Sequence, residues 1–329
     1  MVGFLVKRLS LSVFILFFVM LIVYTLMYSL PTSYVETTAR DLATKPGSTK
    51  SAQDWMDELN VKYGFDKGVV GGFFTWLGSA VQGDFGDSWN WTLPVTQKFK
   101  EVIWYSFTLA AIVFVLEVCI AIPLGVIAAR KQYSAMDYSV TVVALIGISL
   151  PSFFVATLLK LVFAVHLGWF NISGMQGRDY LVLSDFGKFL DMAHHFVLPA
   201  LTLTVVSIGP LMRYTRTNML EVLNSDYIRT ARAKGLAESK VINRHAFRNT
   251  LIPLITILGG SLTMLFSGAL ITETLFAIRG IGYTSFYSMI NGDIPFTMFY
   301  LMFIAILTLL GNLISDVLYA VVDPRVRVH

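Results

Sequence analysis

Four acidic or basic residues stand inside long apolar sequence, and they are the first places to look for chemistry: Glu117, Lys160, Glu273 and Asp316. An ionised side chain in hydrocarbon is costly and is a functional candidate by default. Glu117 lies near the middle of its apolar run, where it either lines a pathway or finds a partner among helices. Lys160 has a stem long enough to snorkel toward an interface, so a structural role is expected for it. Asp316 falls near one end of the last apolar run, an ordinary interfacial position. Metal chemistry is not expected. His194 and His195 are adjacent, so a helix would splay them by about 100°, and His166, His245 and His329 lie in other segments. This is no ligand spacing, and an interfacial or capping pair is the better reading of His194 and His195. No Ser/His/Asp constellation or nucleophile elbow occurs. Gly187-Lys188 is followed by Phe189, so the chain carries no phosphate-cradling Gly-x-x-x-x-Gly-Lys-Ser/Thr loop. Gly280-Ile281-Gly282 has no preceding strand and no third glycine, and reads as a turn. A non-catalytic chain without a cofactor or metal of its own is expected.

The second place is a polar interruption, "RTARAKGLAESKVINRHAFRNTLIP", residues 229–253. Ser225-Asp226 is a helix start, with a hydroxyl able to cap and an acid at the positive end of the dipole. Lys234-Gly235 is the matching stop, a cation in the last turn followed by a residue that tolerates a left-handed backbone. A second helix is expected over 238–249. There Lys240, Arg244 and Arg248 recur every four residues as one basic stripe, beside an apolar face of Val241, Ile242 and Ala246. Charge alone would suit docking on anionic lipid headgroups. Two capped helices around a glycine break suit a rigid element that another protein can push.

The elements that must position these groups are membrane spans. Of 329 residues, 55% are hydrophobic and 14% charged, against about a quarter charged in soluble domains. The net charge of +4 is too small to point to nucleic acid, and the single Cys119, in an apolar run, excludes a disulfide framework. Crossing a hydrocarbon core of about 30 Å takes about 20 helical residues. Six runs qualify: residues 9–30, 104–129, 138–166, 196–212, 251–276 and 297–322, the fourth being the shortest. Lys7 and Arg8 resemble the start of a signal peptide, but the following run is too long and lacks a small-residue cleavage site; it reads as an uncleaved first span. The organisation expected is an N-terminal segment and first span over 1–30, a folded outer loop over 31–103, and a five-helix core over 104–329 with a basic loop at 213–250. Six spans put both termini on one side. Discounting the long outer loop, fourteen Lys and Arg residues fall on the side of the termini and three on the other, which places the termini and the 213–250 loop in the cytoplasm. Trp104 and Trp169 then suit an interfacial belt, and Trp55, Trp76, Trp89 and Trp91 the outer loop. Asn90-Trp91-Thr92 and Asn171-Ile172-Ser173 match a glycosylation sequon, a pattern too common to carry weight.

Within the spans, Gly147, Ser149, Pro151 and Ser152 predict a bend in the third, because proline removes a donor and clashes with the preceding turn. Gly259, Gly260, Ser261, Ser267 and Gly268 make the fifth span small-sided. Small residues allow close helix packing, and at an interface that moves they also permit a gate. Gly147, Ser149, Pro151, Ser152, Thr263, Ser267, Glu273 and Glu117 are therefore the gate or pathway candidates.

The motifs carry a family resemblance. "YIRTARAKGL" and "RHAFRNTLIPLI" resemble the cytoplasmic loop of ABC-importer permeases of the dipeptide and oligopeptide group. So do "LVKRL", "WLGSAVQGDFGDS", "PLGVIAARKQYSAMD", "GISLPSFF", "HHFVLPALTL" and "ITETLFAIRGIGYTSFYSMINGDIP", in the same order along nearly the whole chain. The general permease pattern is Glu-Ala-Ala, three residues, then Gly. Here Arg229, Thr230 and Ala231 precede Gly235, so only Ala231 and Gly235 match it strictly, and the Thr-Ala-Arg-Ala-Lys-Gly form is similar to the peptide branch. "SLPTSYVET" after the first span departs from the Pro-Gly-Asp-Pro-like turn frequent in the family. The resemblance implies an all-helical type I importer permease with six spans, located in the cell membrane. It implies half of a peptide pathway, completed by a second homologous permease. An extracellular or periplasmic binding protein would deliver solute, and two separate ATPase subunits would bind ATP and Mg. It further implies that Tyr227, Arg229, Thr230, Ala231, Arg232, Ala233, Lys234, Gly235 and Leu236 form the coupling helix gripped by the ATPase. Permeases for nickel or glutathione resemble this group, so cargo stays open at this point. A self-sufficient secondary transporter is the other alternative; it would be expected to show inverted repeats or charged midplane residues, and only Glu117 meets the second condition.

Overall fold

The computed structural model describes residues 2–29, 34–45, 49–63 and 65–322. Arg325 and Arg327, counted above toward the basic face, lie outside the described residues, as do residues 30–33 of the segment that departs from the family turn and the side chain of Asp316. Among the described residues the structure is helical, and Asp87 and Pro94 form an isolated antiparallel bridge. The helices are α1 (Val2–Tyr28), α2 (Tyr34–Thr44), α3 (Ala52–Tyr63), α4 (Gly68–Val81), α5 (Val95–Arg130), α6 (Ala135–Ser149), α7 (Ser152–Leu159), α8 (Asp185–Leu223), α9 (Asp226–Ala233), α10 (Glu238–Lys240), α11 (Arg248–Gly260), α12 (Leu270–Leu275), α13 (Ile281–Ile290) and α14 (Ile294–Val322).

Among the described residues, five helical stretches are long and apolar enough to cross a membrane: Val6–Tyr28, Val95–Arg130, Asp185–Leu223, Glu238–Phe266 and Ile294–Ile314. A sixth exists if Ala135–Ser149 and Ser152–His166 count as one span, and these two meet at 104°. The bend expected around Pro151 is thus a break. Leu150 and Pro151 adopt extended backbone, and α7 restarts with Pro151 at its N-cap, where a missing N–H costs nothing. The fifth run differs too. Its helix ends at Phe266 after a 3-10 stretch, Ser261–Phe266, and α12 begins afresh at Leu270, so residues 251–276 are not one continuous helix. The fourth span is far longer than its apolar run suggested. Ser184 caps it, accepting the Gly187 N–H at 3.3 Å, and Pro199 and Pro210 lie inside it.

Two compact units emerge. The first comprises Met1–Trp104 with Thr284–Leu310. Its core gathers Met20, Tyr24 and Met27 of α1 with Phe73 of α4 and Met298 of α14. Val35 and Ala39 of α2 pack on Leu59 of α3, with Trp55 beside them. Asp293 is fully buried in this unit. It accepts hydrogen bonds from the Ser88 hydroxyl, the Asn90 N–H at 3.3 Å and the Phe296 N–H at 3.2 Å, so it caps α14 and fastens the 87–94 hairpin to it. Burial pushes its carboxyl above the usual aspartate range, although these bonds pull the other way.

The second unit comprises Tyr105–Tyr283 with the part of α14 from Gly311. Its organising contact is the crossing of α6 on α8. A Cβ at Gly147 would stand 2.5 Å from the Val205 carbonyl oxygen, and one at Gly209 would stand 2.6 Å from that of Ala144. Backbone meets backbone because neither glycine has a side chain. Gly209→Val should therefore destabilise the protein by about 2–3 kcal/mol through overpacking. Gly78→Ala, where nothing lies within 4 Å of the new Cβ, should not destabilise. Thermal unfolding in detergent reads both, and equal melting temperatures for Gly209→Val and wild type would contradict the packing.

Candidate functional site

The polar interruption folds as the spacing predicts, with one exception. Ser225 occupies the N-cap of α9 in extended backbone, but its hydroxyl donates back to the Val222 carbonyl at 2.6 Å and caps nothing. The α9 N-terminus is instead closed by the Ser225 carbonyl, which accepts the N–H of Ile228 at 3.1 Å and Arg229 at 3.2 Å. The stop is as expected: Gly235 has φ +73° and its N–H bonds the Arg232 carbonyl at 2.9 Å. The second helix also forms, though residues Val241–Phe247 are wound as a π-helix. Its apolar face is buried, Val241, Ile242 and Ala246 joining Ile228 and Ala231 of α9, Met219 of α8 and Ala129 of α5 in one cluster. Lys240, Arg244 and Arg248 remain exposed.

This cluster sorts the coupling candidates into two groups. Ala231 and Leu236 face inward and anchor the element, while Tyr227, Arg229, Thr230, Arg232, Ala233, Lys234 and Gly235 face outward. Arg232 closes the bend by a bidentate pair with Glu238, at 3.1 and 2.7 Å, across the glycine break. A bidentate fork holds geometry better than a single ion pair, so α9 sits on a rigid base. Between α6 and α8, Arg216 forms a second bidentate pair, at 2.6 and 2.8 Å, with Asp137, which also accepts the Tyr133 N–H at 3.0 Å.

The gate and pathway candidates fare differently. A cavity of about 470 Å³ lies between α5, α8 and the 261–269 stretch, and it contains Glu117 and Ser267. Gly147 is buried in the α6–α8 crossing; Ser149, Pro151 and Ser152 form the break between α6 and α7, with Ser149 and Pro151 exposed. None of these four lines the cavity. Thr263 donates to the Gly260 carbonyl at 3.1 Å and also stands outside it. Glu273 is fully buried and does not line the cavity. Its Oε1 accepts the Ser106 hydroxyl at 2.6 Å and the Ala269 N–H at 3.0 Å, and its Oε2 accepts the Tyr283 N–H at 2.8 Å. Ser106 in turn accepts the Ile281 N–H at 2.7 Å. Glu273 is thus a fastener for an irregular loop. Sequence reasoning missed Ser106, Ser207, Pro210 and Met264, which line the cavity. Pro210 was the available signal, since a proline in a span leaves a carbonyl one turn back without its partner.

The remaining polar residues hold structure. Lys160 donates to the Leu275 carbonyl at 2.7 Å, with the Phe276 ring 5.3 Å away; it ties down the C-terminal end of α12, where a cation suits the dipole. His195 is buried, with Nδ1 on the Asp191 carbonyl at 2.7 Å and Nε2 on the Asn171 amide at 2.8 Å. His194 bonds the Trp169 carbonyl at 3.0 Å and stacks on Phe170. The pair staples the 169–177 loop. Trp104 and Trp169 are both 60% exposed. No cluster of three metal-ligating side chains occurs among the described residues.

A family model described as "Binding-protein-dependent transport system inner membrane component" matches residues 121–328, which include the whole α8–α12 region just described. The chain belongs to that family. Relatives of this transport component are similar along their full length. The oligopeptide transport system permease protein AppB of Bacillus subtilis is 35% identical over 328 residues, covering 99% of this chain and 100% of its own. The di/tripeptide transport system permease protein DppB of Pseudomonas aeruginosa is 32% identical over 340 residues, with 99% of each chain covered. A putative peptide transport system permease of Brucella abortus is 33% identical over 327 residues, again with 99% of each. The all-helical structure with five to six apolar spans is consistent with the type I permease fold.

Proposed function

We propose that this inner-membrane component is the permease subunit of an ATP-driven peptide importer. It forms half of the translocation path beside a second, homologous permease. The full-length likeness to relatives named as oligopeptide and di/tripeptide permeases supports peptide over nickel or glutathione. A separate binding protein delivers solute, and ATP and Mg are bound by two separate ATPase subunits; this chain is non-catalytic. Both termini and the 213–250 loop face the cytoplasm, as the charge asymmetry requires.

The observation that carries the coupling role is the build of α9. Its outward face, from Tyr227 to Gly235, stands on a buried apolar base and on the bidentate pair of Arg232 with Glu238. A push on this face is transmitted to α8 and α5, whose residues share its core. ATP then needs only to bind the two arrangements with different affinity to switch access. Cysteine crosslinking tests this: Ala233→Cys in a Cys119→Ser background should form a nucleotide-sensitive adduct with the co-expressed ATPase. Silence at Ala233 and at Thr230, with the complex assembled, would return the face to lipid headgroups.

A further inference from the structure

The cavity beside Glu117 is large enough for a small ligand, since such sites typically occupy about 300–1,000 Å³. Its charge content is one-sided. Leu109, Val113, Phe114, Leu203, Val206 and Leu265 make its walls apolar, three serines besides Ser207 contribute neutral hydroxyls, and Glu117 is the one ionisable residue in its lining. No lysine, arginine or histidine faces the carboxylate from α5, from α8 or from the 261–269 stretch. The Ser207 hydroxyl, which donates to the Thr204 carbonyl at 3.3 Å, shares the lining with it, and an ionised carboxylate accepts up to about four hydrogen bonds. About 20 Å of helix separates Glu117 from Arg130 at the end of α5, by the rise of 1.5 Å per residue, which puts it deep within a core about 30 Å thick. Contrast Glu273 nearby, whose oxygens are consumed by two backbone N–H groups and a hydroxyl. Glu117 has most of its capacity left over.

A second, independent feature marks the same place. The fifth span loses its α-helix where it borders the cavity, running as a 3-10 helix over Ser261–Phe266 and breaking at Ser267–Ala269. Irregular backbone at membrane depth persists only where protein buries it or where it lines a wet cavity, and broken helices mark substrate sites in transporters. Met264, on this stretch, is 72% exposed and lines the cavity, so the space reaches the surface of the chain.

We propose that Glu117 is the binding group for a positively charged end of the transported solute, the α-ammonium of a peptide, held in this cavity with the apolar walls receiving the side chains. An ammonium brings three donors and the opposite charge, which is what the carboxylate lacks. The α-amino group, with a pKa of about 7.7–8.0, is mostly charged at neutral pH. The proposal rests on the peptide-importer reading.

The test uses the complete importer, with its ATPase, second permease and binding protein, in membrane vesicles. A reporter thiol is placed in the cavity as Met264→Cys, with Cys119→Ser. Its labelling rates by aminoethyl methanethiosulfonate, a cation, and sulfonatoethyl methanethiosulfonate, an anion, are compared. With Glu117 present, the cation-to-anion rate ratio should be at least tenfold higher than with E117Q. E117D, which keeps the charge, should retain most of the preference. A tripeptide with a free amino terminus should slow labelling at least tenfold more than its N-acetyl form, and this difference should vanish in E117Q. Equal ratios for Glu117 and E117Q, loss of preference in E117D as well, or a reporter that neither reagent reaches would each overturn the proposal. Uptake of the same tripeptide by the same vesicles separates the two readings. Uptake without charge preference removes only the role of Glu117; charge preference without uptake removes the peptide cargo.

Discussion

Arg216→Ala is expected to destabilise the permease by about 2–3 kcal/mol, the cost of stripping the buried Asp137 carboxylate of two charge-assisted bonds from a half-buried guanidinium. Asp137 is 3% exposed. Without the guanidinium it keeps only the Tyr133 N–H as an external donor, together with its place in the first turn of α6. The loss should appear as a melting temperature many degrees lower in detergent and as less permease recovered in the complex. Arg216→Lys should recover little, because an ammonium cannot reproduce the two parallel bonds at 2.6 and 2.8 Å. The double replacement Asp137→Leu with Arg216→Leu should be far milder than Arg216→Ala, since an apolar pair of similar volume is often neutral. If the double variant is as unstable as the single one, the loss comes from removing the bonds between α6 and α8 themselves and not from a stranded Asp137 charge.

The second large effect is expected at Glu273. Glu273→Ala removes the acceptor of two backbone N–H groups and a hydroxyl inside a fully buried site. Each stranded donor costs about 1–3 kcal/mol, so a loss of about 3–5 kcal/mol is expected. Glu273→Gln should also be harmful, because its NH₂ must face a donor that the carboxylate accepted. Ser106→Ala combined with Glu273→Ala should cost less than the two separate losses together, as members of one network couple. Hydrogen exchange gives the local reading: the Tyr283 and Ile281 amides should lose protection in Glu273→Ala before the amides of α8 do. Unchanged protection at both would show that the 269–283 loop is held by something else.

Glu117 and Glu273 illustrate what sequence could and could not decide. Both are acids in apolar sequence, and composition marks both as costly and therefore used. Nothing in their spacing distinguishes a carboxylate saturated by backbone donors from one facing an open cavity. That difference depends on which N–H groups the 269–283 loop leaves unpaired when it turns, and a turn of irregular backbone has no periodic signature. Gly147 shows the same limit. A glycine beside a proline reads equally as hinge or as contact, and only the approach of the Val205 carbonyl settles it as contact.

Local rules served well where the structure is local. The stop of α9 at Gly235, the buried face of Val241, Ile242 and Ala246, and the break at Pro151 follow from backbone preference and helical period, which operate within a few residues. The ordered motifs identified the family, and the apolar runs its membrane class, because a span must satisfy its own backbone whatever surrounds it. What only the tertiary structure decided is partnership across distant segments: Asp137 with Arg216, Lys160 with the Leu275 carbonyl, Ser106 and Tyr283 with Glu273, and the cavity that leaves Glu117 without a cation. Those pairings depend on how helices far apart in sequence are brought together, and the cost of a buried charge states that a partner must exist without stating where it comes from.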